Sequence, residues 1–399
     1  MRIPYALAVY GQEEIRAVQN VLSDPLRLAP NTQTREFESA IAKLFGKPYG
    51  LMVNSGSSAN LLAFALLDLP KGSEVITPVL TFATTVTPLL QHGLRPVFAD
   101  VDLRTFLIRE DDIEGLITEK TRALMIPSLL GNVPNLKRLR EIADAHGLYL
   151  IEDSCDTLGA TFAGKPTGHY SDISTTSFYA SHIITAAGGG GMIAVHRPEW
   201  YKKCLMLRGW GRSSVLFSES EDLENRFRTT INSHPYDGKF IFEEIGYNLQ
   251  TIEIQAAFGL EQIKRLATFS ATRKHNFTAL SAFFKSSYPH FFDLPETAED
   301  VDTNWLAFPL TIKEGAPFSR LDLITYLEKN GIQTRPVFTG NILHQPAFRH
   351  LDERGLRDTF TAANLIMRNS FVIGCHHGLT PEHLEYLKKV FSVFLDPFA

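Results

Sequence analysis

Short apolar runs recur between longer amphipathic segments over residues 50 to 200. The runs cover residues 50–54, 74–77, 96–100, 123–127, 148–153, 175–179 and 192–195. Short apolar strands with helix-length connections are typical of a mostly parallel sheet that helices cover on both faces. In the connection 135–146, Leu136, Leu139 and Ile142 fall on one side of a helix and basic residues fall on the other. The pattern therefore predicts a large α/β domain.

The pattern changes after a helix that we predict over residues 251–264. Strand-like segments follow at 305–311 and 333–337, with helices predicted at 320–330 and 381–394. A chain of 399 residues is long enough for two cores. We expect a large domain over residues 1–260 and a smaller C-terminal α+β domain over residues 261–399.

Composition narrows the class of protein. With 44% hydrophobic and 21% charged residues, the chain is typical of a soluble globular enzyme. Its formal net charge of −5 argues against a general nucleic-acid binder, which would carry a basic surface. No segment approaches the roughly 18 uninterrupted apolar residues of a membrane span, and the N-terminus lacks a signal-peptide pattern. We therefore expect a cytoplasmic protein that does not enter a membrane.

The cysteines and histidines do not form a recognisable metal motif. Cys155, Cys204 and Cys375 are widely spaced and include no CxxC pair, so neither a disulfide framework nor a zinc site is indicated. Buried thiols are the expectation. His376 and His377 predict either a polar surface turn or a contact with a substrate opening, and no histidine spacing suggests a metal site.

Three segments carry candidate chemistry. Gly56 and Ser57 lie where a strand gives way to a helix, and free backbone N–H groups there can bind phosphate, although many such turns bind nothing. Asp153 closes an apolar strand, where it can pair with a pyridinium nitrogen or merely cap a helix. Ser177 offers a hydroxyl to a phosphate, ahead of four consecutive glycines at 188–191. Together and in this order, the three segments favour a cofactor site.

The order of these segments resembles the sugar aminotransferase family of fold type I pyridoxal-phosphate enzymes. The resemblance rests on SGSSAN at 55–60, EDSCDTLGA at 152–160, SFYASHIITAAGGGG at 177–191 and GYN at 246–248, and it covers nearly the whole chain. It implies the aspartate-aminotransferase fold, with a mostly parallel central sheet and a smaller C-terminal α+β domain. It also implies pyridoxal 5'-phosphate, or its amine form pyridoxamine 5'-phosphate, as the cofactor.

The resemblance implies seven residues that contact the cofactor: Gly56, Ser57, Phe82, Asp153, Asp156, Ser177 and Asn248. The glycine and the two serines would bind the phosphate. Phe82 would stack on the pyridine ring, Asp153 would pair with its nitrogen, and Asp156 would lie near its hydroxyl. Asn248 would reach the phosphate in the neighbouring subunit, because sites in this family are shared across a homodimer.

One position departs from the family's pattern. His182 stands where the family has the lysine that binds the cofactor covalently, and no lysine occurs between Lys165 and Lys202. The relatives with this change are 3-dehydratases of nucleotide-linked 4-keto-6-deoxyhexoses, and the stretch 335–341 is similar to the enzyme acting on a GDP-linked sugar. The cofactor amine would condense with the C4 ketone, His182 would remove a proton from the cofactor methylene, and the C3 hydroxyl would leave. Histidine is a competent base near neutral pH.

The cofactor amine must be restored after each cycle. One branch of these relatives uses a two-iron cluster on cysteines, but only Cys155 of that set is present, so no iron–sulfur cluster is expected. The resemblance then implies L-glutamate as the amino donor. Gln250 stands where an arginine is expected for the glutamate carboxylate. Arg212 or Arg335 could bind that carboxylate, or either could bind the nucleotide diphosphate.

Two other functions stay open. An ordinary sugar 4-aminotransferase would need another lysine near the cofactor, and a non-catalytic relative would keep the fold without the reaction. The substrate is expected to be a GDP-linked 4-keto-6-deoxyhexose, with CDP and dTDP sugars as alternatives. Neither the hexose stereochemistry nor the destination of the product follows from the sequence.

Overall fold

A computed structural model describes residues 1–217, 222–352 and 355–399. Its helices are α1 (Gln12–Leu22), α2 (Thr32–Leu44), α3 (Gly56–Leu67), α4 (Ala83–Gln91), α5 (Leu136–His146), α6 (Pro198–Arg208), α7 (Leu223–Phe227), α8 (Glu253–Ser287), α9 (Arg320–Lys329), α10 (Thr361–Asn369) and α11 (Pro381–Leu395). Its strands are β1 (Tyr49–Val53), β2 (Glu74–Pro78), β3 (Arg95–Ala99), β4 (Thr121–Pro127), β5 (Tyr149–Asp153), β6 (Thr161–Phe162), β7 (Lys165–Pro166), β8 (Ile173–Ser177), β9 (Gly191–Val195), β10 (Thr230–Ile231), β11 (His234–Pro235), β12 (Phe292–Asp293), β13 (Val301–Asp302), β14 (Phe308–Ile312) and β15 (Ser370–Ile373). The seven strands predicted between residues 50 and 200 are confirmed, with ends within two residues of the prediction.

The central sheet has the strand order β1-β9-β8-β5-β4-β2-β3. The pairs from β3 across to β8 are parallel, whereas β9 runs antiparallel to both of its neighbours. Because β1 and β8 both oppose β9, every strand of this sheet except β9 points the same way. Their carboxyl ends meet at one edge, which is where open α/β sheets bind ligands. The predicted mostly parallel sheet is confirmed.

Apolar side chains alternate between the two faces of the sheet. Val53 and Ile151 pack with α3 and α6 on one face, whereas Leu124 and Ile126 pack with Leu139 of α5 on the other. Fully burying one such side chain contributes roughly 1.5–3 kcal/mol. Helices therefore cover both faces, and the functional groups remain at the strand ends.

Helix α3 begins at the carboxyl end of β1. The Ser55 hydroxyl accepts the Ser58 N–H at 3.1 Å, which satisfies one of the donors at the start of the helix. The helix ends at Asp68, whose φ of 47° is left-handed. The cap at Ser55 fixes where the first free N–H groups of α3 point.

Helix α8 connects the large sheet to the C-terminal region. It packs on α1 and α2 near its start, and its buried Leu280 and Phe284 join the core around the antiparallel sheet β12-β14-β15. The predicted domain boundary at residues 260 and 261 falls inside this helix. The division into two domains stays a prediction, and any hinge at that position would have to break α8.

Two local predictions were wrong. Residues 333–337 form no regular strand, because Pro336 has no N–H and Phe338 adopts a φ of 46°, so pairing is limited to the bridge between Arg335 and Val372. Of the two alternatives left open for His376 and His377, the polar surface turn is wrong for His376. His376 is buried, with Nε2 donating to the Pro4 carbonyl at 3.1 Å and Nδ1 accepting the Gly378 N–H at 3.2 Å, so it is neutral.

The cysteines are free thiols, as expected. Cys204 and Cys375 are buried, and Cys155 is half-buried. Within the described part of the chain, no group of three or more histidine, cysteine or acidic side chains could hold a metal ion. No helix in the same part has the length and apolar character to span a bilayer.

Candidate active site

A cavity of about 460 Å³ opens at the carboxyl edge of the central sheet. It is lined by eight of the ten predicted site residues: Gly56, Ser57, Phe82, Asp153, Asp156, Ser177, His182 and Arg335. These residues come from the starts of α3 and α4, from the ends of β5 and β8, and from the segments after β5, β8 and α9. The topology thus brings together side chains that are up to 279 positions apart in the sequence.

At the start of α3, Gly56 packs tightly against Ser177 and Cys155. A Cβ added at Gly56 would lie 2.6 Å from the Ser177 Cβ and 2.7 Å from the Cys155 Sγ, so only glycine fits there. The Ser57 hydroxyl donates to Thr84 at 3.0 Å, and Ser177 lies at the end of β8. Backbone donors and hydroxyls therefore meet where an anionic group can approach closely.

Three donors fix the carboxylate of Asp153. Asn60 Nδ2 and Thr85 Oγ1 donate to its Oδ2 at 2.8 and 2.9 Å, and the Cys155 N–H donates to its Oδ1 at 3.2 Å. The Thr175 hydroxyl in turn donates to the Asn60 Oδ1 at 2.6 Å, which fixes the orientation of the Asn60 amide. The sequence interpretation did not assign Asn60, Thr85 or Thr175. Their role depends on contacts between distant segments.

Asp156 has far fewer partners. Its Oδ2 accepts the N–H of Leu130 at 3.0 Å, and Leu130 has a left-handed φ of 57°. Burial, with a smaller contribution from the charge of Asp153, raises the pKa of Asp156 to about 7 against the opposing effect of the Leu130 N–H. This carboxyl therefore changes its charge near neutral pH.

His182 lies in the turn after β8, with its own N–H bonded to the Tyr179 carbonyl at 2.9 Å. The Tyr179 ring stands edge-on to the imidazole at 6.0 Å, and Nδ1 of His182 has no hydrogen-bond partner. Burial lowers the pKa of His182 to about 4, with Arg273 adding to the shift and the Ser177 backbone and Asp153 opposing it. The imidazole is consequently neutral at pH 7 and able to accept a proton.

The sequence interpretation missed Tyr5. The N-terminal segment pairs with the residues after α9, and the Tyr5 N–H donates to Gln333 Oε1 at 2.9 Å, so the Tyr5 ring lines the cavity. The Arg335 guanidinium lies 5.9 Å from the centre of this ring. Burial raises the pKa of the Tyr5 hydroxyl well above its usual range, so it stays protonated. No local motif around Tyr5 could have indicated this position.

Two predicted residues lie outside the cavity of the single chain. Arg212 stacks against Trp210, Phe240 and Phe242, with its guanidinium carbon 4.7 to 5.3 Å from the ring centres. Asn248 is exposed and pairs with the backbone of Gly209. The role of Asn248 at the cofactor phosphate of a neighbouring subunit stays a prediction.

Residues 9–391 match the DegT/DnrJ/EryC1/StrS aminotransferase family. The chain belongs to this family. The lipopolysaccharide biosynthesis protein RfbH of Salmonella typhimurium is 41% identical over 98% of this chain and 91% of that protein. The dTDP-4-dehydro-2,6-dideoxy-D-glucose 3-dehydratase of Saccharopolyspora spinosa is 37% identical over 93% of this chain and 82% of that protein.

Solved structures of a further relative extend the comparison. The E. coli GDP-4-keto-6-deoxy-D-mannose-3-dehydratase with bound hydrated pyridoxal phosphate is 29% identical, with a TM-score of 0.84 over 98% of this chain and 100% of that chain. Another structure of such an enzyme holds a trapped adduct of pyridoxal phosphate and glutamate, with 28% identity, a TM-score of 0.85 and the same coverage. The predicted family and the fold type I architecture are confirmed.

The cavity of this family member fits pyridoxal phosphate. The backbone at the start of α3, packed closely against Ser177 at Gly56, and the hydroxyls of Ser57 and Ser177 suit a phosphate. The buried carboxylate of Asp153 suits a protonated ring nitrogen, and the ring of Phe82, which is 52% exposed, offers a free face to an aromatic ligand. The donor set therefore matches each part of the cofactor.

Proposed function

We propose that this protein is a 3-dehydratase of nucleotide-linked 4-keto-6-deoxyhexoses that uses pyridoxal or pyridoxamine phosphate and regains its amine from L-glutamate. Membership of the family and the similarity to proteins described as 3-dehydratases support the proposal. It belongs with deoxysugar biosynthesis, since RfbH is described as a lipopolysaccharide biosynthesis protein.

The observation that carries the proposal is the imidazole of His182 at the cavity. His182 takes the position after β8, and no lysine is among the described residues that line the cavity. A lysine amine would bind a cofactor aldehyde covalently, whereas an imidazole forms no stable bond of that kind. Non-covalent retention of the cofactor therefore favours its amine form and a reaction other than amino transfer.

The chain's own residues supply binding and proton transfer. When bound, the cofactor supplies an exchangeable amine and an electron sink. Asp153 would hold the ring nitrogen, and Gly56, Ser57 and Ser177 would hold the phosphate. His182, whose imidazole is neutral at pH 7, would accept a proton and return it to the departing hydroxyl. The apolar walls of Leu130, Leu306 and Phe338 exclude water from these steps.

The substrate and its nucleotide approach from the open side of the cavity. Arg335 is exposed there, and its guanidinium suits either the diphosphate of a GDP-sugar or the carboxylate of glutamate. We assign Asn248 to the cofactor phosphate of a second subunit in a homodimer, and Arg212 to substrate binding across the same interface. The exposed rings of Phe240 and Phe242 near Arg212 suit such an interface.

The test is an anaerobic incubation of metal-stripped protein with pyridoxal phosphate, L-glutamate and a panel of GDP-, CDP- and dTDP-linked 4-keto-6-deoxysugars, followed by mass spectrometry. A 3-deoxy-4-keto product with stoichiometric 2-oxoglutarate is the expected result. A 4-amino sugar that retains its C3 oxygen would establish the aminotransferase instead. Absence of turnover with every sugar, in protein that binds the cofactor, would indicate a non-catalytic relative.

A further inference from the structure

Arg273 is a buried cation without a counter-ion. It lies on the inner face of α8, is 0% exposed, and is one of the largest side chains to be buried so completely. In the part of the chain that the structure describes, no carboxylate forms an ion pair with it. Burying an unpaired charge is costly in folding free energy, so such a residue is a candidate for function.

The Arg273 guanidinium donates to neutral groups from three separate segments. Nη1 donates to the carbonyls of Trp305 and Leu306 at 3.1 and 3.0 Å, and Nε donates to His377 Nδ1 at 3.1 Å. Nη2 donates to the His182 carbonyl at 3.4 Å. One rigid, planar group thus ties the turn that carries His182 to the segments before β14 and after β15.

The charged and titratable groups around the His182 imidazole come from several elements. Asp153 faces it from β5 and Arg273 from α8, and these two act on it with opposite signs. Asp156 and Cys155 follow β5 in the cavity wall, Tyr179 belongs to the same turn, and Tyr5 and Arg335 lie across the cavity. Arg273 is the buried cation among them.

We propose that Arg273 is a positioning residue for His182: it fixes the turn through the His182 carbonyl and presents a buried positive charge to the imidazole. The charge disfavours an imidazolium, so the ring stays available as a base. Burial of the imidazole acts in the same direction and is the larger cause of its lowered pKa. The inference deepens the proposed function, because it concerns the group assigned to proton transfer there.

The experiment measures the His182 titration directly, in protein without cofactor, by NMR of ring-labelled histidine. The His182 signal among the 13 histidines is assigned by its loss in His182→Asn. In Arg273→Met the protonation midpoint should rise, with protons binding roughly tenfold more tightly, which is about one pKa unit. Lys285→Gln removes a charge from an exposed position of the same helix and should leave the midpoint unchanged. A midpoint that does not move in Arg273→Met overturns the proposal.

Arg273→Lys separates charge from geometry and serves if the methionine variant does not fold. Lysine keeps the charge but cannot span three carbonyls and an imidazole, so the midpoint should stay low while kcat falls about tenfold with KM nearly unchanged. A lysine variant with normal kcat would exclude the positioning role. The titration needs no substrate, so the two proposals can fail separately. A raised midpoint in Arg273→Met, together with a parent protein that turns over none of the sugars, would refute the proposed function and leave this inference intact.

Discussion

The ionisable groups of the cavity fall into two sets that differ in their hydrogen bonding: Asp153 in one, His182 and Asp156 in the other. Asp153 receives three hydrogen bonds, and its main donor, Asn60, is itself fixed by Thr175. His182 has an unpartnered Nδ1, and Asp156 accepts one backbone N–H. Every contact of Asp153 favours one fixed orientation, whereas His182 and Asp156 keep the capacity to exchange a proton.

The difference separates binding from proton transfer. A group that must hold a cofactor benefits from saturated hydrogen bonds, because each removes an alternative orientation. A group that must accept and return a proton benefits from a free nitrogen and a neutral resting state. The site therefore combines a carboxylate held rigidly at the end of β5 with two proton-exchanging groups, Asp156 shortly after β5 and His182 on the turn that Arg273 restrains.

Replacing His182 should have the largest effect. His182→Asn keeps the approximate size but removes the base, so the single-turnover rate should fall roughly 10²–10⁴-fold. Cofactor affinity, measured by equilibrium dialysis, should change little. His182→Lys should instead gain a covalent link to pyridoxal phosphate that borohydride traps and mass spectrometry detects at residue 182. A fully active asparagine variant would remove His182 from the mechanism.

Neutralising Asp153 comes next. Asp153→Asn replaces a carboxylate with an amide whose NH₂ meets the donors of Asn60 or Thr85, so the single-turnover rate should fall on the order of 100-fold and the cofactor should bind more weakly. The matched control is Asp172→Asn, which removes a carboxylate that pairs with Arg140 away from the cavity. Equal losses in the two variants would mean that the effect is general rather than local.

Removing one hydrogen-bond donor to Asp153 should reduce activity less than replacing Asp153 itself. Asn60→Leu removes one donor to the carboxylate and leaves the Thr175 hydroxyl only the more distant Glu152 carbonyl as acceptor. We therefore expect about a tenfold loss in kcat and roughly 1–3 kcal/mol in the free energy of unfolding. Urea denaturation and steady-state kinetics measure the two effects. Thr87→Val, whose hydroxyl bonds only to the backbone of α4, is the control. An unchanged kcat would show that two donors suffice.

Asp156 should give the smallest effect, in the pH dependence of stability. Its pKa rises from an ordinary 3.8 to about 7 in the folded chain, so its stabilising contribution is complete below pH 3.8 and is lost as the pH rises through 7. Asp156→Asn lacks this titration and should gain on the order of 1 kcal/mol relative to the parent between pH 6 and pH 8. Parallel denaturation curves at both pH values check it. If the difference in unfolding free energy between the parent and Asp156→Asn is the same at both pH values, the pKa of Asp156 is not raised in the folded chain.

The fold and most of the cavity were predictable because their signals are local. A few consecutive residues are enough to recognise each apolar strand between residues 50 and 200. The same holds for the small residues around Gly56. Asp153 and Ser177 end strands that run the same way, so the sheet places them together. The resemblance added Phe82 and Asp156, which the structure also places in the cavity.

The supporting contacts were not predictable because they join distant segments. Asn60 donates a hydrogen bond to Asp153, which is 93 positions away in the sequence, and Arg273 donates one to the carbonyl of His182, which is 91 positions away. Tyr5 reaches the cavity only because its segment pairs with residues after α9. The strand predicted at 333–337 is wrong because Pro336 cannot donate a hydrogen bond to a neighbouring strand, which the strand-like reading of this segment did not take into account.

The continuity of α8 limits how the protein can be recombined with its relatives. In a chimera joined at residue 260, the two halves of α8 would come from different proteins. Leu266 and Phe269 would then pack against residues of the large sheet region that come from the other parent. The half with Asp153 and His182 would also receive its residue 273 from elsewhere. Crossovers before Glu253 or after Ser287 keep these packed surfaces together, so exchange of substrate preference between family members is best attempted there.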